Sequence, residues 1–177
     1  MPTITVAHTG HLDPATLTSA RALADEAFGG AFDDADWEHA LGGMHALAFD
    51  GDRLVAHGSV VQRRMVHRGR ALRVGYVEAV AVAADHRRRG LASAVMDELE
   101  QIIRGGYDLG ALSASDAGAA LYLSRGWRRW DGPTSALTPT GTVRTPEEDG
   151  NVFVLPGGVP LDPACDLVCD WRDGDVW

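Results

Sequence analysis

A chain of 177 residues, 45% hydrophobic and 23% charged, holds enough apolar material for one packed core, which excludes a disordered tail or a fibre. Its net charge of −9 comes from 25 acidic residues against 16 basic ones, all of them arginine, a balance that disfavours nucleic acid and suits a cationic ligand, although solubility alone is the plainer reading. No apolar run reaches the length of a membrane span, no secretory leader is evident, and Cys165 and Cys169 have neither zinc nor redox spacing, so a cytoplasmic single domain (1–177) with reduced thiols and no membrane partner is expected.

Thr3–His8 is expected as a first strand. Asp13-Pro14 then marks a helix start, an N-cap followed by proline at the first helical position, and Gly29-Gly30 marks its end. A short helix is expected at 36–41, then strands at 45–50 and 54–66 joined at Gly51-Asp52, with a turn over 66–73. Residues 76–83 (YVEAVAVA) predict a strand covered on both faces, and 85–90 (DHRRRG) a basic turn. Leu91, Val95, Met96, Leu99, Ile102 and Ile103 recur at helical spacing up to Gly105-Gly106. Leu109–Ser113 is a short strand, Ser115 or Asp116 caps a helix closed by Gly126, and another strand starts at Trp127. Beyond Asp131 the chain is rich in Gly, Pro and Asp, with one clear strand at Val152–Leu155.

The strand–turn–helix at 76–103 carries the most chemistry. The first N–H groups of a helix lack internal partners and form the positive end of its dipole, so a basic, glycine-containing start binds a diphosphate well. Neither GxxxxGK[ST] nor GxGxxG occurs. Arg87-x-x-Gly90-x-Ala92 after a buried strand resembles the signature of the GCN5-related N-acetyltransferases. Tyr122-Leu123-Ser124-Arg125-Gly126-Trp127 resembles that family's Tyr-x-x-x-Gly-aromatic helix ending. The resemblance implies an α/β (α+β) fold: a mixed, mostly antiparallel central sheet with a splayed parallel strand pair, flanked by helices. It also implies acetyl-coenzyme A as co-substrate, its pantetheine arm along the backbone of Val80, Ala81 and Val82. Its diphosphate would then lie on Arg87, Arg88, Arg89, Gly90, Leu91 and Ala92.

Acetyl transfer to an amine needs a proton acceptor for the ammonium group and a donor for the leaving thiolate. Glu78 is the one charge in an apolar strand, either a general base or half of a structural ion pair. Tyr122 stands at the family's acid position, with a satisfied core aromatic as the bland alternative. Segments around Asp36, Gly42, Gly132, Thr145 and Cys169–Trp177 resemble the mycobacterial aminoglycoside 2′-N-acetyltransferases. That resemblance implies acceptor contacts at Asp36, Glu78, Ala79, Ser113, Glu147, Glu148, Asp175 and Trp177, and a homodimer. Acidic clusters at Asp33-Asp34-Asp36, Glu147-Glu148-Asp149 and Asp173/Asp175 fit a polycation, though each alone is more often a solvated loop. The segment at the tail is expected to wall the acceptor site. Ala31 departs from the resembled pattern, which has an acidic residue there. No metal is expected: His8 and His11 have no evident third ligand. Acetylation of another amine, or a non-catalytic acyl-coenzyme A-binding regulator, remain as alternatives.

Overall fold

Alternating side chains and a tight turn set the first half of the molecule. In the computed structural model, which describes residues 2–177, β1 (Thr3–His8) pairs antiparallel with β2 (Met44–Asp50). β2 pairs antiparallel with β3 (Arg53–His67), through Gly51-Asp52. β4 (Arg70–Val82) lies next to β3 on its other side. A bulge between Ala48 and Phe49 shifts the β2–β3 register by one residue. The chain divides into two compact units: residues up to 61 with 77–102, and 62–76 with 103–177. β3, β4 and α3 (Leu91–Gly106) pass from one unit to the other.

In the first unit, α1 (Pro14–Ala27) starts as expected. Asp13 caps it, accepting from Thr16 N at 3.0 Å, and Ala20, Leu23 and Ala24 face inward. α2 (Asp34–His39) begins two residues before the expected start because Asp33, not Asp36, is the cap. The two form a reciprocal capping box. α3 buries Val95, Met96 and Leu99 completely, each contributing about 1.5–3 kcal/mol of apolar burial. Close approach of α3 to β3 needs Gly58. A Cβ there would stand 2.9 Å from Val95 Cγ1 and 3.1 Å from Leu99 Cδ1.

The second unit is built on a mixed sheet. It contains β5 (Leu109–Ser113), β6 (Arg128–Arg129), β7 (Thr134–Thr138), β8 (Gly141–Arg144), β9 (Val152–Leu155) and β10 (Leu167–Cys169). With the adjoining parts of β3 and β4 the order is β6-β9-β5-β4-β3-β10-β7-β8. The β4–β5 and β10–β7 pairs are parallel, the remaining recorded pairs antiparallel. The parallel β4–β5 ladder has three register pairs and ends at Tyr76↔Ala111. Helix α4 (Asp116–Ser124) is closed by left-handed Gly126, with Trp127 N returning to Tyr122 O at 3.1 Å. Trp127, Trp130 and Phe153 are almost wholly buried and fill the core of this unit. The fold class is α+β, a mixed sheet with flanking helices, as the sequence led us to expect. Two local expectations change. The turn at 66–73 shrinks to Arg68-Gly69, because Leu72 and Val74 bury their side chains and extend β4 backwards. Three further strands, β7, β8 and β10, lie beyond Asp131. Among the described residues, no helix is long and apolar enough to cross a membrane.

Candidate active site

The candidate residues fall in both units. In the first, β4 departs from regular strand geometry at Ala79, whose φ of 51° is left-handed. That conformation costs an L-residue roughly 1–2 kcal/mol. At this kink the burial of the strand changes: Glu78, Ala79 and Val80 are consecutively half-exposed between buried Val77 and Ala81. The expectation of a strand covered on both faces therefore fails at these three residues, and Glu78 reaches solvent. Val82 is also half-exposed, so three of the four positions from Ala79 to Val82 are accessible. The Ala79 carbonyl accepts from His57 Nδ1 at 2.9 Å.

The basic turn follows β4. Arg87, Arg88, Arg89 and Gly90 are all exposed, and α3 begins at Leu91, with Ala92 half-buried behind it. Arg88 (φ 63°) and Gly90 (φ 80°) are left-handed on either side of Arg89. Backbone of alternating hand turns successive N–H groups to one side and forms an anion-binding concavity. With the α3 dipole and three guanidinium groups, this turn fits a diphosphate. His86, absent from the expected site, anchors it. His86 Nδ1 lies 2.9 Å from Asp85 Oδ1 and Nε2 lies 3.1 Å from Asp50 Oδ2, while Arg53 holds Asp85 at 2.7 Å. Hydrogen bonds to the two carboxylates raise the His86 pKa above its ordinary value. The sequence signal for this clamp was the Asp-His pair immediately before the arginines. Asp36 lies on α2, where its Oδ2 accepts from Asp33 N at 2.9 Å; its carboxylate thus serves its own helix start.

In the second unit, Tyr122 is buried against Trp127 and Phe153, with ring centroids 6.0 and 6.1 Å apart. Burial pushes its phenol up to about 12. Ser113, at the end of β5, donates to Glu148 Oε2 at 2.9 Å. Burial raises the Glu148 pKa; the Ser113 bond opposes this and the nearby charges of Asp175 and Glu147 add to it. Ser113, Glu147, Glu148 and Asp175 thus form one acidic group. Asp149 is different: Arg144 holds its carboxyl at 2.6 Å and down to about 2, while Thr134 donates to it from N and Oγ1. It belongs to the framework. Trp177 is buried, its Nε1 donating to Thr145 Oγ1 at 2.9 Å and its N to Asp175 Oδ1 at 3.1 Å. Buried Arg63 secures this tail through Asp170 Oδ1 at 2.7 Å and the Val176 carbonyl at 2.8 Å.

The model of the acetyltransferase (GNAT) domain family matches residues 11–130. The aminoglycoside 2′-N-acetyltransferase of Mycolicibacterium fortuitum is 58% identical over 179 residues, covering 99% of this chain and 92% of that one. Among solved structures, Escherichia coli ElaA matches with a TM-score of 0.61 at 17% identity, over 88% of this chain and 99% of that one. An acyl-CoA N-acyltransferase from Pseudomonas aeruginosa matches with a TM-score of 0.62 at 16% identity, over the same shares. Those two show a common fold. With a family model spanning most of its length and a relative matching almost all of it, the chain belongs to the GNAT acetyltransferase family.

Proposed function

We propose that this enzyme transfers the acetyl group of acetyl-coenzyme A to the 2′-amine of an aminoglycoside, by direct attack within a ternary complex. The observation that carries the reading is 58% identity, along 99% of the chain, to a relative bearing that activity in its name. The left-handed, arginine-lined turn at Arg88 and Gly90 supports coenzyme binding. The cluster of Ser113, Glu147, Glu148 and Asp175 supports a polycationic, hydroxyl-rich acceptor over an apolar one.

In this reading the coenzyme supplies the activated acetyl thioester. The backbone of Val80, Ala81 and Val82, with Val80 and Val82 half-exposed and Ala81 buried between them, lies along its pantetheine arm, and residues 87–92 hold its diphosphate. Glu78 takes a proton from the acceptor's ammonium group, directly or through water, which frees the nitrogen lone pair for the new C–N bond. As the C–S bond breaks, coenzyme A leaves as a thiolate that accepts a hydrogen bond from the Tyr122 O–H, and the second proton of the acylated nitrogen passes to solvent. Asp36, Ala79, Ser113, Glu147, Glu148, Asp175 and Trp177 contact the acceptor. We further propose a cytoplasmic homodimer. Acetylation of polyamines or peptide N-termini is the second reading. The half-buried Glu148 and its acidic neighbours weigh against a peptide terminus, which brings one charge where this cluster answers several; a polyamine is separated from an aminoglycoside by the thiol-release assay.

Thiol release across a panel of amines tests the proposal. Aminoglycosides with a 2′-amine should be turned over and 2′-hydroxyl analogues not; preferred turnover of a polyamine or peptide overturns the substrate assignment. Gly90→Glu places a carboxylate where the diphosphate sits and should weaken coenzyme affinity by about tenfold or more in calorimetry. Unchanged affinity in the folded variant removes the turn from the site.

A further inference from the structure

Two histidines that the proposed chemistry does not use lie in the first unit, both with 0% exposure. His57 Nδ1 meets the Ala79 carbonyl at 2.9 Å, His45 Nδ1 meets His57 Nε2 at 2.9 Å, and Thr9 Oγ1 meets His45 Nε2 at 2.7 Å. Thr9 Oγ1 in turn accepts from Gly42 N at 2.9 Å. Thr9 is half-buried and Gly42 exposed, so the chain of bonds runs from the surface, through β2 and β3, to the kink in β4.

Chemistry gives this chain one direction. A carbonyl only accepts, so the hydrogen of His57 sits on Nδ1. Among the described residues no carboxylate shifts either ring, and burial holds both histidines neutral, with pKa values down to about 4. Neutral His57 therefore accepts at Nε2, from His45 Nδ1–H, and His45 accepts at Nε2. The single Thr9 hydroxyl hydrogen goes to that nitrogen at 2.7 Å in preference to the Gly43 carbonyl at 3.3 Å. With His45 in this tautomer, a proton added to His57 would set its Nε2–H against His45 Nδ1–H. The same logic rules out a proton relay, because a backbone carbonyl at the inner end neither takes up nor releases a proton near neutral pH. Such a chain holds position.

What it holds is the carbonyl of Ala79, the one left-handed residue of β4. Glu78 precedes it and Val80 follows. We propose that His57, oriented by His45 and Thr9, is a positioning residue of the acetyltransferase site: it fixes the Ala79 peptide and so sets where Glu78 and the Val80 backbone point. This rests on the roles proposed above for Glu78 and Val80, and it adds three residues that touch no substrate.

Asparagine's side-chain amide nitrogen sits where histidine's Nδ1 does. His57→Asn therefore keeps the donor to Ala79, whereas His57→Phe fills the space and removes it. With both substrates saturating, His57→Phe should lower kcat by about 10–10²-fold, the scale of a small misplacement of a reacting group, with a lesser change in either KM. His57→Asn should restore kcat to within about threefold of wild type. Two results overturn the proposal: a folded His57→Phe with wild-type kcat, or equal kcat losses in both variants in step with their losses of melting temperature, which marks a packing role. Nitrogen-15 spectra of the wild type give a test independent of turnover. Both imidazoles should be Nδ1–H tautomers, and the Val80 amide should shift in His57→Phe and stay in place in His57→Asn. An Nε2–H tautomer at His57, or an unmoved Val80 amide in His57→Phe, refutes the chain even if His57→Phe is inactive. If the wild type acetylates no aminoglycoside, the functional reading fails while these spectra still decide whether the chain holds the kink.

Discussion

In the proposed mechanism Tyr122 would enter the reaction with its proton firmly attached. A thiol titrates at about 8.5, so full transfer from a phenol at about 12 to the leaving sulfur is strongly uphill. The role proposed for it is therefore a hydrogen bond to charge developing on sulfur, and it need not be fully deprotonated at any stage. Tyr122→Phe should lower kcat by about 10–10²-fold and leave both KM values nearly unchanged. Wild-type kcat in that variant takes Tyr122 out of the mechanism. Glu78 sits on the accessible stretch of β4 and needs no such protection from water to act as a base. Glu78→Gln should cost about 10²-fold or more and abolish the acidic limb of the kcat/KM profile. Retention of that limb would assign the base to another group.

Strand β3 lies against helix α3 at Gly58, and the contact sets a stability prediction. Gly58→Ala brings a methyl group to 2.9 Å from Val95 Cγ1 and 3.3 Å from Val80 Cγ2, so it should destabilise by about 1–3 kcal/mol. Denaturant unfolding reads this directly, and a neutral result would show that α3 gives way freely. Much at this scale was legible in the residues. Asp13-Pro14 and Gly126 marked helix ends because capping is local chemistry. Arg87-x-x-Gly90-x-Ala92 marked the turn because it combines charge with a residue free of Cβ. The histidine chain was not legible, and the reason is one bulge. From the hairpin end the pairs sum to 103, as in Asp50↔Arg53 (50 + 53), which would set His45 and His57 on opposite faces of the sheet. Beyond Ala48 the sum is 104, as in His45↔Ser59 (45 + 59), and the slip turns both onto one face. Strands β8 and β10 escaped for a different reason. All four residues of β8 are exposed and β10 has three residues, so neither carries the alternation that marks a strand. The acidic cluster of the second unit was legible as charge, but its composition was not. Asp149 looked equivalent to Glu148 until Arg144 was seen to hold it.

Across the whole molecule, histidines impose opposite pH trends. His45 and His57 titrate near 6.5 when unfolded and near 4 when folded, so their contribution is present above 6.5 and lost as pH falls toward 4. His86 has a raised folded pKa, so its contribution is full below 6.5 and is lost as pH rises from there through the higher folded value. Melting temperatures from pH 4 to 9 should fall toward both ends. The acid limb should flatten in the His45→Asn/His57→Asn pair and the alkaline limb in His86→Gln; unchanged limbs would place the titrating groups elsewhere. The basic side chains lead to a different kind of consequence. Every side-chain cation in the ion pairs described, from Arg53–Asp85 to Arg144–Asp149, is a guanidinium or an imidazole, and lysine is absent from all 177 residues. A guanidinium stays protonated and is a poor nucleophile near neutral pH. The protein thus handles a reactive thioester while presenting no side-chain amine for that thioester to modify. Prolonged incubation with acetyl-coenzyme A should leave every internal peptide without a cysteine at its unmodified mass, where a lysine-bearing protein would accumulate amide adducts. For the same reason, amine-reactive dyes and crosslinkers should find no side chain in this sequence to label.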